Sequence, residues 1–194
     1  MDGNVREAAK SDALVLFGVT GDLARKKIFP ALYGLAKRGA LKVPVIGVAS
    51  SNWSLAQLRK RASESIKASG RINDRPALRH LLSLLRYVEG DYRDPDTFKS
   101  LKRALGHARR PAHYLAIPPA LFGTVIEGLG AAGLARDARV IVEKPFGHDH
   151  ASARELNRIA GSVFTQDSIF SIDHVLATEA IMTLLYFSFA HSFL

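Results

Sequence analysis

Two glycines stand three positions apart in the run Gly18-Val19-Thr20-Gly21-Asp22-Leu23, with Arg25, Lys26 and Lys27 close behind. A glycine at position 18 lets the backbone approach a pyrophosphate, and Gly21 permits close helix-to-strand packing. Free amides at a helix start, aided by its dipole, suit phosphate. Against the full G-x-G-x-x-G pattern the first glycine is Leu16, so the same residues also fit a tight strand-to-helix turn without a ligand. Later comes Ala49-Ser50-Ser51-Asn52, where an acid would bind a ribose 2′-hydroxyl and an arginine a 2′-phosphate. Neither is present. The missing carboxylate removes repulsion against a 2′-phosphate and the hydroxyls can donate to one, which points toward NADP rather than NAD.

Three further clusters carry polar chemistry at the ends of apolar runs. Tyr114-Leu115-Ala116-Ile117-Pro118-Pro119 reads as a strand with a proline stop. Glu143-Lys144-Pro145-Phe146-Gly147 sets a lysine beside a rigid proline, well placed for an anionic substrate, or forms a plain turn with a solvated ion pair. Asp173-His174 pairs a carboxylate that can orient a histidine with an imidazole that can donate to a phosphate; the plain alternative is a polar strand cap. His113 and His107 lack such a context and read as structural. His148 and His150 flank Asp149 without a third ligand nearby, so no metal is expected.

The elements that must position these clusters are legible as alternating runs. Strands are expected at Ala13 to Phe17, Val45 to Ala49, Tyr87 to Gly90, Ala112 to Ile117, Arg139 to Glu143 and Ile169 to Asp173. Helices are expected at Leu23 to Arg38, closed by Gly39 and interrupted at Pro30, then at Leu55 to Ala68 behind the N-cap Ser54. More follow at Pro76 to Leu85, from Asp94-Pro95 to His107, at Ala120 to Gly130 and at Ala151 to Val163. Continuous apolar strands alternating with helices mean a parallel sheet covered on both faces, a doubly wound α/β architecture. Ligands of such sheets lie beyond the carboxyl ends of the strands, where every distinctive motif here falls.

The chain has 194 residues with 47% hydrophobic and 23% charged, enough apolar content for one packed domain and against dominant disorder. With no cysteine there is no disulfide, thiolate metal site or cysteine nucleophile. No apolar stretch is long enough to span a bilayer and the first residues lack the build of a secretory signal, so no membrane partner and a cytoplasmic location are expected. The net charge of +9 attracts phosphates in general. Its cations are spread along the chain without aromatic interleaving, so anionic small molecules fit better than nucleic acid.

In this order the motifs resemble the glucose-6-phosphate dehydrogenase family. The resemblance rests on Gly18 to Lys27, Tyr114 to Pro119, Glu143 to Gly147 and Ile172-Asp173-His174, and runs from about Leu14 to the end of the chain. It implies a Rossmann-like domain and oxidation of glucose 6-phosphate at C1, with hydride passed to NADP and 6-phosphogluconolactone formed, the opening step of the pentose phosphate pathway. The pyrophosphate would be bound by Gly18, Val19, Thr20, Gly21, Asp22, Leu23, Ala24 and Arg25. Ser50 would lie at the 2′-phosphate, and Asp91 and Tyr92 would add a further cofactor contact. Lys144 would lie between sugar and nicotinamide, His174 would contact the sugar phosphate, and Asp173 would orient the catalytic histidine.

The departures are specific. The family's cofactor-selecting arginine is Ser50 here, and the I-D-H-Y-L-G-K-E motif reads Ile172-Asp173-His174-Val175-Leu176-Ala177-Thr178-Glu179, without the phosphate-binding tyrosine and lysine. The family is well over twice this length, with its large antiparallel sheet domain and general base beyond Leu194. The expected division is a polar leader at 1–12, a dinucleotide-binding domain at 13–175 and an apolar stub of the second domain at 176–194. That stub, with Ile181, Leu184, Leu185, Tyr186, Phe187, Phe189, Phe193 and Leu194, needs a cover; exposed, it would drive self-association. The chain alone is then expected to bind coenzyme without turnover. The rival readings are a non-catalytic NADP-binding module and a remnant without function.

Overall fold

A computed structural model describes residues 10–70, 72–144 and 149–172, together with Ile181, Thr183, Leu185, Tyr186 and Phe189. Six strands form one sheet: β1 (Ala13–Phe17), β2 (Val45–Ala49), β3 (Leu85–Glu89), β4 (Pro111–Leu115), β5 (Arg139–Glu143) and β6 (Ile169–Ile172). They lie in the order β3-β2-β1-β4-β5-β6, every neighbouring pair parallel. Between them run α1 (Phe29–Lys37), α2 (Leu55–Ser69), α3 (Arg75–Leu84), α4 (Pro95–Leu105), α5 (Phe122–Ala131) and α6 (His150–Val163). The doubly wound expectation holds.

Strand pleating divides the core into two layers, because successive side chains leave a strand on opposite faces. Leu14, Leu16, Val45, Ala112, Tyr114 and Ile141 pack on one face, under α1, α2 and α3. Ala13, Val15, Phe17, Ile46, Val48, Val140 and Val142 pack on the other, under α4, α5 and α6. Both faces are therefore dry, and the sequence shows unbroken apolar runs instead of a period of two.

The helix after β1 carries the expected disturbance at Pro30. Proline has no N–H to give to the carbonyl four residues back. The chain answers with a π-helical turn at Ala24–Ile28, closed by the Phe29 N–H on the Ala24 carbonyl, before α1 begins. Ser54 caps α2 in a reciprocal capping box with Gln57, and Asp94 caps α4 by accepting from the Asp96 amide at 2.9 Å. Asp149 caps α6 with Ser152, so His150 is the first residue of a helix.

Several boundaries differ from expectation by one to a few residues, two of them with a clear physical reason. β3 begins at Leu85, which the apolar pattern had given to the preceding helix; its burial at 1% exposure on the sheet favours the extended state. β4 begins at Pro111, where a strand tolerates proline because its first residue need not donate. Ile181, Leu185 and Phe189 are helical and buried within the first core layer. Part of the apolar C-terminal segment thus finds its cover inside the chain itself.

Candidate functional site

The order of the sheet reverses beside β1, whose neighbours β2 and β4 lead away to either side. This opens a crevice at the carboxyl end of β1, the place where doubly wound sheets hold ligands. Gly18 fills that position with φ +78°, and a Cβ there would overlap the Ala116 carbonyl oxygen. Only glycine meets both conditions. Val19 turns back onto β2, where Gly47 makes room; a Cβ on Gly47 would lie 2.7 Å from the Val19 methyls. The turn then closes through the Gly21 N–H on the Gly18 carbonyl at 2.9 Å, and the helix starts. Its first amides, at Asp22 and Leu23, have no acceptor within the helix, the condition under which a helix start suits an anion.

Four side chains fix this turn to the strands and loop beside it. The Gly18 N–H is shared between the Val48 carbonyl and the Tyr92 hydroxyl oxygen, each at 2.9 Å, and that hydroxyl donates to Val48 at 3.2 Å. Burial pushes the Tyr92 phenol up to about 12, against the opposing effect of the Gly18 hydrogen bond. Thr20 and Ser51 share a hydrogen bond at 3.0 Å, tying the turn to the loop after β2. The Tyr87 hydroxyl donates to the Ser51 carbonyl from beneath. Ser50, between these anchors, is exposed, as are Gly21, Asp22 and Arg25. Asp22 pairs with Lys26 at 3.3 Å on the surface.

The structure thus brings Gly18, Thr20, Gly21, Ser50 and Tyr92 together. Asp91 is exposed, and its carboxylate accepts from the Arg93 amide at 2.9 Å. Lys144 lies exposed at the carboxyl end of β5, its N–H donating to the Ile172 carbonyl at 2.8 Å. Asp173 and His174, as well as Pro145 to His148, lie outside the described residues. His113 is structural as expected: it is wholly buried, with Nε2 at 2.8 Å from the Leu134 carbonyl.

Sequence reasoning missed the hydrogen-bonding roles of two tyrosines. Tyr87 pins the loop after β2, and Tyr114 donates to the Glu143 carboxylate at 2.8 Å, joining β4 and β5 just below Lys144. Burial, then the Glu143 charge, raises the Tyr114 pKa far above its ordinary value. The only signal available was a buried aromatic with a polar tip near a strand end. No group of three or more metal-ligating side chains occurs among the described residues, and none of their helices is long and apolar enough to cross a membrane.

A glycine turn at the switch point of a doubly wound parallel sheet, leading into a basic first helical turn, defines the class of nicotinamide-dinucleotide-binding α/β domains. Residues 15–183 match the family described as "Glucose-6-phosphate dehydrogenase, NAD binding domain", and the chain belongs to that family. "Glucose-6-phosphate 1-dehydrogenase 1" of Mycobacterium bovis is 46% identical over 181 residues, covering 93% of this chain and 39% of that protein. The Saccharomyces cerevisiae glucose-6-phosphate 1-dehydrogenase is 35% identical, covering 95% of this chain and 39% of its own length. The crystal structure of the Mycobacterium avium enzyme superposes with a TM-score of 0.83 at 47% identity, covering 87% of this chain and 37% of that one. A glucose-6-phosphate dehydrogenase solved with glucose 6-phosphate bound superposes at 0.77 and 34% identity, covering 87% and 38%. The chain therefore spans roughly two fifths of the curated relatives it matches.

Proposed function

We propose that this chain is the coenzyme-binding part of a glucose-6-phosphate dehydrogenase that uses NADP. The observation that carries the reading is the cradle at Gly18, which has no space for a side chain and opens onto the first amides of the following helix. A pyrophosphate placed there meets backbone donors without a Cβ in the way, and the Arg25 charge adds attraction. The donor set fits a dinucleotide. A nicotinamide dinucleotide held there would supply the hydride acceptor for C1 of the sugar.

The remaining roles fall to the carboxyl ends of β5 and β6. Lys144 offers a fixed cation to the sugar and the nicotinamide, its backbone held against β6 by the bond to Ile172. Asp173 and His174 follow Ile172 directly in the chain. Asp173 orients the general base, and His174 donates to the phosphate of glucose 6-phosphate. The preference for NADP is supported by the absence of a carboxylate in Ala49-Ser50-Ser51-Asn52, which leaves nothing to repel a 2′-phosphate.

The test is fluorescent NADPH titrated into the purified chain, then displaced by NADP and by NAD. Saturable binding displaced at lower concentration by NADP is expected. A folded chain that leaves NADPH fluorescence unchanged overturns the reading.

A further inference from the structure

We propose that Arg61, on α2, is the cation that selects the adenosine 2′-phosphate in this chain, taking over from the arginine that is Ser50 here. The inference rests on the dinucleotide reading of the glycine turn and names the group that would give it specificity. α2 begins at Leu55, directly after the loop that leaves β2, so its first two turns stand at the carboxyl end of the sheet. Arg61 lies in the second of them. One turn further on, the Ser65 hydroxyl donates to the Arg25 carbonyl. The face of α2 that carries Arg61 and Ser65 therefore lies along the helix that follows the glycine turn.

The state of the Arg61 side chain separates it from its neighbours. Its guanidinium carbon sits 5.7 Å from the centre of the Trp53 ring, and Trp53 belongs to the same loop as Ser50 and Ser51. Its Nε is buried without a hydrogen-bond partner among the described residues. The other cations of these turns are engaged: the Arg59 Nε donates to the Leu82 carbonyl at 2.9 Å, and Lys60 approaches Glu64 at 3.9 Å. A half-buried guanidinium held on an indole face, with no carboxylate partner among the described residues, is a preorganised receptor for an anion. A phosphate monoester matches its fork and carries the charge that NAD lacks at this position. Ser50 is exposed and shares the loop of Trp53 with Ser51, whose hydroxyl is bonded to Thr20.

The experiment compares NADP and NAD affinities of the 194-residue chain with those of Arg61→Met and of Arg61→Met carrying Ser50→Arg. Methionine keeps an unbranched stem against Trp53 and removes the guanidinium with its charge and donors. NADP affinity should fall about tenfold or more in Arg61→Met while NAD affinity stays within about twofold, and Ser50→Arg should restore the preference. Trp53 is the sole tryptophan. Its emission should respond to NADP, respond less to NAD, and lose that difference in Arg61→Met. An unchanged NADP-to-NAD ratio, or equal loss of both, overturns the role of Arg61 alone. A folded wild-type chain that binds neither nucleotide overturns the dinucleotide reading, and this inference with it.

Discussion

The Gly18 N–H has two acceptors at 2.9 Å, and the residue sits at φ +78° against the Ala116 carbonyl. Backbone conformation and space both forbid a side chain there. Gly18→Ala should therefore lower stability by roughly 2–4 kcal/mol, combining left-handed strain with overpacking. A urea denaturation midpoint measures it; a loss below about 0.5 kcal/mol would mean the turn can relax away from Ala116. His113 makes a different prediction. Burial lowers its pKa from 6.5 to about 4, outweighing the bond to Leu134, and its Nδ1 has no hydrogen-bond partner among the described residues. The folded chain thus keeps the imidazole neutral down to about pH 4, while the unfolded chain protonates near 6.5. The stability this supplies is complete above pH 6.5 and is lost as pH falls toward 4, amounting to about 3 kcal/mol. His113→Gln, whose amide can still donate to Leu134, should flatten that acid limb in denaturation curves collected from pH 7 to pH 4.

At the scale of elements, the caps and breaks were legible because each is written in a few adjacent residues. Ser54 as an N-cap, Asp94 with Pro95, and Pro30 inside a helix each announce a local backbone event. The structure shows those events as two capped helices and a π-helical turn. Ser54→Ala removes one half of a reciprocal cap and should cost about 1 kcal/mol, read as a lower midpoint in thermal or urea unfolding. If the midpoint does not move, water satisfies the Gln57 amide equally well. The tyrosine contacts were not legible. Tyr92 reaches Gly18 across 74 positions and Tyr114 reaches Glu143 across 29, and no local pattern encodes a hydroxyl's partner at that separation. The same holds for Arg61 on Trp53, whose significance depends on where α2 docks.

For the whole molecule, the unbroken apolar strands led to a sheet buried on both faces, and the motifs at their ends led to the crevice beside β1. Local sequence could not show that Ile181, Leu185 and Phe189 pack into the chain's own first core layer. An apolar run reads alike whether a neighbouring strand, a second domain or another copy covers it. The sites beyond β5 and β6 were legible only as short motifs whose meaning comes from resemblance, with Lys144 placed at a strand end and Asp173 and His174 outside the described residues. The central claim is that the β1 turn holds the pyrophosphate of a nicotinamide dinucleotide. Its most direct measurement is the change in backbone amide resonances of the nitrogen-15-labelled chain as NADP is added. The largest shifts should fall on Gly18 to Arg25, with a second group at Ser50 and Ser51. Resonances that stay in place across those residues, or that move only at the amino ends of the strands, would contradict it.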